Sequence, residues 1–500
     1  MTDTDSAHKP TPATGLVKGL SLFDSTMIVM GSMIGSGIFI VSADISRQVQ
    51  GPALLLIVWL LSGVMTLMCA LTYSELAAAL PKAGGQYAFL RYTLGPLSGF
   101  LYGWTMLTVI QTATIAAVAI AFAKFAGVLF PWFSSSSWIL KIGTFGPYDL
   151  WFGSLGPYNV GLNTQNLLAI LVIVGLTLVN TRGVKTGARV QNVFTVTKTA
   201  ALLALILLGF ICATDAAQQV NFTDFWRNAD LFGAHAYALG GDTVMVTGLT
   251  IVSVAMVGSL FSADAWNNVT FTAAEVDNPQ RSLPLALGLG VGLVTLIYVI
   301  ANVAYLDVLP LDGIAHAAED RVGTAVAGVV FGASGATIMA VAIMISTFGC
   351  NNGLILAGSR VYYAMAQDGL FFKSIGTVNA NHVPARALML QAIWASVLCL
   401  TGTYGQLLDF IIFAVLLFYI VTIVGLFVLR RREPNLPRPY KVIGYPWMPI
   451  LYILMALFIE VQLLRYKPQY TWPGLIIVLA GIPAYYLWRR FSRGASVQPS

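Results

Sequence analysis

The sequence predicts an all-α polytopic membrane protein with about 12 transmembrane helices. Two observations lead to this fold class: only 10% of the 500 residues are charged, and the mean hydropathy is +0.78. Soluble domains carry roughly 25% charged residues, so the composition does not suit a water-soluble fold. A third observation is that the apolar residues form runs of about 20, the length that crosses a bilayer.

The predicted spans follow one another closely, and little sequence remains for a separate soluble domain. The two longest interruptions, 129–165 and 214–244, are predicted to be loops with surface turns. The first nineteen residues are polar, so we expect no cleavable signal peptide, and the first span itself directs insertion. The predicted spans fall near residues 22–44, 53–80, 97–128, 166–180, 190–213, 245–272, 284–309, 331–358, 386–402, 407–429, 446–464 and 473–488.

The charges indicate a membrane topology rather than an anionic partner. The net charge is +6, but nineteen of the 27 lysines and arginines fall in the two tails and one set of loops, against seven in the other set. This asymmetry is the positive-inside bias, and it predicts that both termini are cytoplasmic. Nucleic-acid binding is therefore not needed to explain the charge. The four cysteines lie in apolar runs, which predicts neither a disulfide framework nor a metal site.

The first span contains a predicted break. Gly31, Gly35 and Gly37 lie within seven residues, and each glycine costs a helix roughly 1 kcal/mol relative to alanine. A broken membrane helix exposes backbone groups, which the bilayer tolerates only beside protein or a water-filled cavity. The helix that restarts after Gly37 would direct N–H groups and a positive dipole end into that cavity, which suits a carboxylate. The alternative is that these small residues only allow close helix packing.

Lys198 is the most informative charge in the first half of the chain. It lies about eight residues, or ~12 Å, inside the fifth span, where a lysine costs roughly 2.5–3.5 kcal/mol. Carbonyl groups freed around residues 31–36 would lie at a similar depth, and the ammonium would there take the place of a coupling cation. The alternative is that Lys198 extends to the cytoplasmic interface and stabilises nothing in particular.

The sixth span carries a second group of polar residues. Phe261, Ser262, Asp264 and Trp266 lie in the middle of its apolar run and are candidate substrate contacts. Asp264 has the same kind of insertion cost as Lys198. A second broken helix accounts for this pattern, and paired breaks in the two halves of a chain point to a transporter site. For Asp264, a structural role in capping the restarted helix is an equal alternative to substrate contact.

Hydroxyl groups in the eighth span are candidates for a vestigial ion site. Ser346 and Thr347 lie in mid-membrane, although serine and threonine in membrane helices often bond to their own backbone. The four histidines fall in tails or loops, and no metal-binding or nucleophilic constellation is present in the sequence. We therefore expect no enzymatic activity, no cofactor and no metal.

Four motifs together resemble the amino acid-polyamine-organocation superfamily, and within it the prokaryotic relatives of the L-type amino acid transporters. The resemblance covers about residues 20–490, and the combination is specific. It implies a secondary active transporter of α-amino acids with neutral side chains, either a sodium-independent exchanger or a proton-coupled permease. A polyamine or cationic amino acid antiporter and a non-transporting sensor remain alternatives. The motifs are GSMIGSGIF, FSADAWNNVTFTAAEVDNPQRSLPLA, STFGCNNG and REPNLPRPYKV.

The architecture implied by the resemblance is LeuT-like. Two inverted halves of five helices form the core, helices 1 and 6 are discontinuous, and two further helices are peripheral. Residues 1–20 would then form a cytoplasmic tail, 21–432 the ten-helix transport core, 433–490 helices 11 and 12, and 491–500 a second cytoplasmic tail. The implied location is the bacterial inner (plasma) membrane.

The resemblance also implies roles for individual residues. Phe261 resembles the aromatic gate of the family, and Lys198 matches a lysine that stands where sodium binds in sodium-coupled relatives, which implies no sodium dependence. The substrate carboxylate would bind backbone N–H groups near Gly35, Ser36 and Gly37. The substrate ammonium would meet carbonyl groups near Met33, Phe261, Ser262 and Asp264.

Two positions depart from the family pattern. Relatives often have tyrosine where this chain has Ala263 and glycine where it has Ala265, so the pocket for the substrate side chain differs in size. The loop 129–165 contains no cysteine, and we therefore expect no disulfide-linked ancillary subunit. The expected partners are an amino-acid substrate and the lipid bilayer, with no nucleic acid; the oligomeric state is left open.

Overall fold

Helices dominate the computed structural model, which describes residues 16–150, 153–155, 158–239, 242–401 and 404–494. Most of the predicted N-terminal tail and the end of the predicted C-terminal tail lie outside these residues. The last helix runs to Gly494, so residues 491–494 of the predicted tail continue that helix.

The helices begin and end where the sequence supplies suitable caps. Ser21 and Asp24 form a reciprocal capping box at the start of the first helix, and Thr247 caps the helix that begins at Gly248, as short polar side chains do. The helices are α1 Leu22–Met33, α2 Gly37–Val49, α3 Pro52–Ala79, α4 Gln86–Leu94, α5 Pro96–Thr105, α6 Gln111–Leu129, α7 Thr164–Asn180, α8 Val184–Ile211, α9 Asp215–Phe222, α10 Gly248–Ser262, α11 Asn268–Phe271, α12 Pro279–Val308, α13 Leu311–Ala315, α14 Val322–Phe331, α15 Gly335–Gln367, α16 Ala385–Cys399, α17 Tyr404–Arg432, α18 Trp447–Tyr466 and α19 Pro468–Gly494.

Eight helices of the described residues are long and apolar enough to cross a membrane. The pair α1 and α2 passes the same test together and is bent by 41° at its break, and α7, α10 and α16 are shorter apolar helices. A π-helical turn, Met106–Ile110, joins α5 to α6 within one span. The prediction of a helical, polytopic membrane protein is thus confirmed at this level.

The two long connections contain β-hairpins, where the sequence had suggested only loops and turns. The strands are β1 Trp138–Phe145, β2 Tyr148–Leu150, β3 Gly153–Leu155, β4 Tyr158–Asn163, β5 Ala234–Leu239 and β6 Asp242–Thr247. They pair antiparallel as β1 with β4, β2 with β3, and β5 with β6. In β1 the neighbouring side chains Ile139 and Leu140 are both more than half exposed, so the strand lacks the apolar–polar alternation that predicts a strand from sequence.

Buried ion pairs fix the helix ends on the predicted cytoplasmic side. The guanidinium of Arg360 donates to both oxygens of Glu275, at 2.8 and 2.9 Å, and the exposed fractions of the two side chains are 1% and 0%. Glu75 accepts in the same two-pronged manner from Arg430. Two parallel hydrogen bonds hold a charged pair in one orientation, which suits a fixed contact between helices.

The segment before α1 is joined to the segment after α11 by backbone hydrogen bonds. The N–H groups of Gly19 and Leu20 both donate to the carbonyl of Glu275 at 2.9 Å, and the N–H of Asp277 donates to the carbonyl of Leu20 at 2.8 Å. Leu20 and Val276 form a short parallel bridge there. The two polypeptide segments that carry the predicted breaks are therefore tied together at one end.

Candidate functional site

The first predicted break is present in the structure. Helix α1 ends at Met33, Ile34 has extended backbone angles, and α2 begins at Gly37. Gly37 packs so closely on the Ser262 side chain that an added Cβ would overlap the hydroxyl oxygen. Glycine is therefore required for the approach of the two broken segments, beyond its effect on helix propensity.

Lys198 binds the carbonyl groups that this break releases. Its ammonium nitrogen lies 2.6 Å from the carbonyl oxygen of Gly31, 2.5 Å from that of Ile34 and 3.3 Å from that of Ser346. The side chain is 1% exposed, so it does not extend to the interface as the alternative interpretation required. The Lys198 ammonium is thus surrounded by carbonyl oxygens, which are also the ligands that a bound metal ion of the same charge would have.

The two hydroxyls of the proposed vestigial ion site behave differently. Ser346 donates from its Oγ towards the carbonyls of Ile34 and Gly35, at 3.2 and 3.1 Å. Thr347 instead bonds to its own helix, at 2.8 Å from the carbonyl of Ile343. The structure thus brings Ser346 but not Thr347 to the break, because the Thr347 hydroxyl takes the backbone alternative that is common in membrane helices.

Two further residues at the break were missed in the sequence. The Tyr298 hydroxyl lies 2.9 Å from the carbonyl of Met33 and 3.2 Å from that of Ser262, and so bridges the two broken segments. The Cys350 thiol lies 3.0 Å from the carbonyl of Ser32. Together with Lys198 and Ser346, these side chains provide donors for the carbonyls of residues 31–35, as burial requires. A lone tyrosine in an apolar run carries no sequence signal for such a role.

The second break follows α10. This helix ends at Ser262, and residues 263–267 are not helical until the four-residue α11 begins. Ala265 has a φ of 64°, in the left-handed region that favours glycine. The family pattern places glycine at this position, so the structure supplies a backbone reason for that preference and shows that alanine accepts the same conformation here.

Asp264 lies at the centre of the second break. Its carboxylate accepts a hydrogen bond from the Tyr419 hydroxyl at 2.5 Å. Asn267 occupies the capping position of α11 and forms no side-chain capping bond there. The Asp264 side chain borders the cavities described next.

One cavity touches both breaks. It lies between the N-terminal end of α2 and the C-terminal end of α10. Phe261 is half-buried and forms part of its wall. Seven of the eight residues predicted to bind substrate line this cavity: Met33, Gly35, Ser36, Gly37, Phe261, Ser262 and Asp264.

Trp266 is the exception among the predicted substrate-binding residues. Its ring packs edge-on against Tyr73 with ring centroids 5.0 Å apart, and lies 5.3 Å from the ring of Tyr419. It borders a different cavity, behind the second break, because the turn at Ala265 directs it away from α2. The indole therefore belongs to the aromatic packing that supports the break, and it is not among the residues that line the cavity between the breaks.

Nothing in the geometry of the described residues suggests a metal centre, since no group of three or more histidine, cysteine or acidic side chains is close enough to hold an ion there. The features that the site does have are two interrupted membrane helices, a cavity between them and a buried ammonium on freed carbonyls. Those features define a membrane transporter with discontinuous helices.

Comparison with known proteins agrees with that class and gives the family. Residues 20–484 match the family described as "Amino acid permease", and the chain belongs to it. The human large neutral amino acids transporter small subunit 2 is 31% identical over 475 residues, which cover 94% of this chain and 80% of the relative. The serine/threonine exchanger SteT of Bacillus subtilis (strain 168) is 28% identical, covering 94% and 97%. The mouse b(0,+)-type amino acid transporter 1 is also 28% identical, covering 98% and 92%. The chain is thus an amino-acid transporter.

Proposed function

We propose that this chain is a sodium-independent exchanger that recognises the α-amino and α-carboxylate groups of its substrate in the cavity between the two breaks. The N-terminal end of α2 supplies N–H groups near Gly35, Ser36 and Gly37, together with a positive dipole end, for the carboxylate. Carbonyls near Met33 and Ser262, on the other side of the same cavity, suit the ammonium. The observation that carries the proposal is that both breaks border one cavity.

The proposed layout has twelve spans. Eight long helices, one bent pair and three shorter apolar helices give that number. On this layout the first ten spans, within residues 21–432, form two inverted halves, and α18 and α19 are peripheral. The distribution of basic residues supports cytoplasmic termini, and the proposed location is the bacterial inner (plasma) membrane.

Lys198 supports the absence of sodium coupling. Its ammonium occupies the position between the carbonyls of Gly31 and Ile34 where a small cation would otherwise bind. Two positive charges in one buried site of this size repel each other strongly. Sodium binding at this site is therefore disfavoured as long as the lysine is charged.

Exchange and the substrate range are proposed from the relatives. One relative is named as an exchanger of serine and threonine and another as a transporter of large neutral amino acids, so we expect neutral amino acids among the substrates. The latter is also named a small subunit, which implies assembly with another chain. We propose no disulfide-linked partner here, because the loop 129–165 contains no cysteine.

The test is transport by the purified protein in sodium-free proteoliposomes. Vesicles loaded with an unlabelled neutral amino acid should take up labelled serine or leucine faster than empty vesicles do. An absolute requirement for external sodium would remove the role proposed for Lys198. Saturable binding without uptake or counterflow would instead favour a sensor built on the same scaffold. Uptake into empty vesicles that follows an imposed proton gradient would favour proton coupling over exchange.

A further inference from the structure

A further pocket lies where the C-terminal ends of α3 and α15 meet the short helix α4. The turn that follows α3, one side of α4 and the last turns of α15 form its walls, and it shares no residue with the two cavities at the breaks. It has more free space than either of those cavities. Because α3 and α15 are both long enough to cross a membrane, a pocket at their ends lies where the bilayer meets water. We call it the α4 pocket.

The walls of the α4 pocket are held in place. The Tyr87 hydroxyl donates to one oxygen of Asp368 at 2.9 Å, and the Arg91 guanidinium lies 3.2 Å from the other oxygen, so that α4 is tied to the end of α15. Gly84, at a φ of 89°, packs so closely on α15 that an added Cβ would lie 2.8 Å from the Ala364 methyl carbon. The pocket is therefore formed before any ligand arrives, as binding pockets usually are.

The charges of the α4 pocket favour an anion. Its lining contains two basic side chains, Lys82 and Arg91, and one acidic side chain, Asp368, which gives a net charge of +1. Asp368 is already bonded to Tyr87 and Arg91. Lys82 forms no ion pair among the described residues; its ammonium lies 5.9 Å from the centre of the Tyr92 ring. One positive charge of the pocket is therefore left without a partner of opposite charge.

Arg91 also retains donors for a second anion. A guanidinium carries five N–H donors, and the contact with Asp368 is the one ion pair that Arg91 forms within the described part of the chain. Its Nε has no hydrogen-bond partner among those residues. Tyr92 is positioned from outside the pocket, since its hydroxyl donates to Glu433 at 2.9 Å. Arginine and lysine are the side chains that proteins use most to bind phosphate groups.

The remainder of the wall is apolar or aromatic. A pocket that joins basic side chains to an apolar wall at the edge of the bilayer suits a molecule with a charged head and an apolar body, and basic pockets between membrane helices bind acidic lipid headgroups. The apolar and aromatic members include Leu80, Ala83, Ala88, Tyr363 and Ala364.

We propose that the α4 pocket binds the phosphate group of an acidic phospholipid between Lys82 and Arg91. A phosphodiester carries one negative charge, which matches the net charge of the lining, and the glycerol part of the lipid would lie on the apolar wall. Inorganic phosphate offers the same oxygens without that apolar part. The site is separate from the proposed substrate cavity, and the proposal does not depend on amino-acid exchange.

The test follows the melting temperature of the detergent-purified protein during titration with dioctanoyl phosphatidylglycerol or dioctanoyl phosphatidylcholine. The two lipids share a phosphodiester, but choline adds a cation that cancels its charge. A ligand that binds the folded state raises the melting temperature, and phosphatidylglycerol should do so at a concentration at least about tenfold lower, because two basic side chains face its charge.

Lys82→Gln removes the unpaired charge from the α4 pocket. Lys82 is exposed, so the variant should fold, and it should need about fivefold more phosphatidylglycerol for the same rise in melting temperature. Lys373→Gln makes the same change at an exposed lysine on the same predicted side of the membrane, outside the pocket lining. This control should need the wild-type concentration.

Equal effects of the two lipids on the wild-type protein overturn the proposal, and this comparison needs no variant. A phosphatidylglycerol preference that is unchanged in Lys82→Gln, or reduced equally in Lys373→Gln, also overturns it, because the lipid would then respond to overall charge. Inorganic phosphate, compared with chloride at matched ionic strength, distinguishes the sources. If it displaces phosphatidylglycerol and stabilises the protein equally well, the phosphate site stands with free phosphate as its ligand; if it does neither, the ligand is the lipid. Failure of this proposal leaves the proposed transport function intact, because no transport is measured.

Discussion

Replacement of Lys198 by methionine gives the sharpest test of how the first break is held. Methionine keeps most of the length and the apolar part of the side chain and removes the ammonium. The carbonyls of Gly31 and Ile34, at 2.6 and 2.5 Å from that nitrogen, then lose a buried donor. Ile34 keeps the Ser346 hydroxyl as a donor, so Gly31 is the acceptor left unsatisfied, at a cost of about 1–3 kcal/mol.

The lost hydrogen bond destabilises the conformations in which the break is closed around the ammonium. At 1.4 kcal/mol for each factor of ten, the lower end of the range corresponds to a loss of about fivefold in the rate of transport. We expect Lys198→Met to reach the membrane at normal levels and to show that loss in counterflow, measured per unit of reconstituted protein. The melting temperature of the purified protein should also fall.

A control on the same helix separates charge in general from charge at the break. Lys185 lies at the exposed start of α8, and Lys185→Met should transport at the wild-type rate. If Lys198→Met transports within threefold of the wild type and melts normally, the ammonium does not stabilise the break and the reasoning above fails.

Three further changes test other parts of the site. Gly37→Ala should reduce counterflow at least tenfold, because the added Cβ overlaps the Ser262 hydroxyl; normal transport would show that the two breaks need not approach so closely. Ala265→Gly should raise the melting temperature, because the left-handed φ of 64° costs alanine about 1 kcal/mol more than glycine; an unchanged or lower temperature would contradict this. Glu460, 5% exposed and without an ion pair among the described residues, should tolerate Glu460→Gln with no loss of melting temperature, whereas Glu460→Lys should destabilise; a large loss with glutamine would indicate that its charge is needed.

The spans and both breaks could be predicted because they depend on strong local signals. A run of about 20 apolar residues has one stable arrangement in a bilayer, and glycines or charges inside such a run conflict with a continuous lipid-facing helix. Lys198 could be assigned to the freed carbonyls for the same reason, since a buried ammonium needs acceptors at its own depth. In these cases the constraint acts within one segment of sequence.

The errors arose where the outcome depends on contacts between segments. Whether Trp266 faces the first cavity depends on the left-handed turn at Ala265, which the sequence does not display. Tyr298 became a bridge between the breaks only because α12 packs beside both. The hairpin strands were not predicted because their side chains are exposed on both faces. Such strands lack the alternation of apolar and polar residues by which a strand is recognised in a sequence.

The backbone bridge between Leu20 and Val276 constrains how that end of the molecule can move. Main-chain hydrogen bonds join the polypeptide before α1 to the polypeptide after α11. We therefore expect these two segments to move together as one unit that bends at the two breaks. A swing of one stretch carries the other with it, unless the bridge itself separates. The two ends of a bound zwitterion would therefore be released in the same movement instead of one after the other.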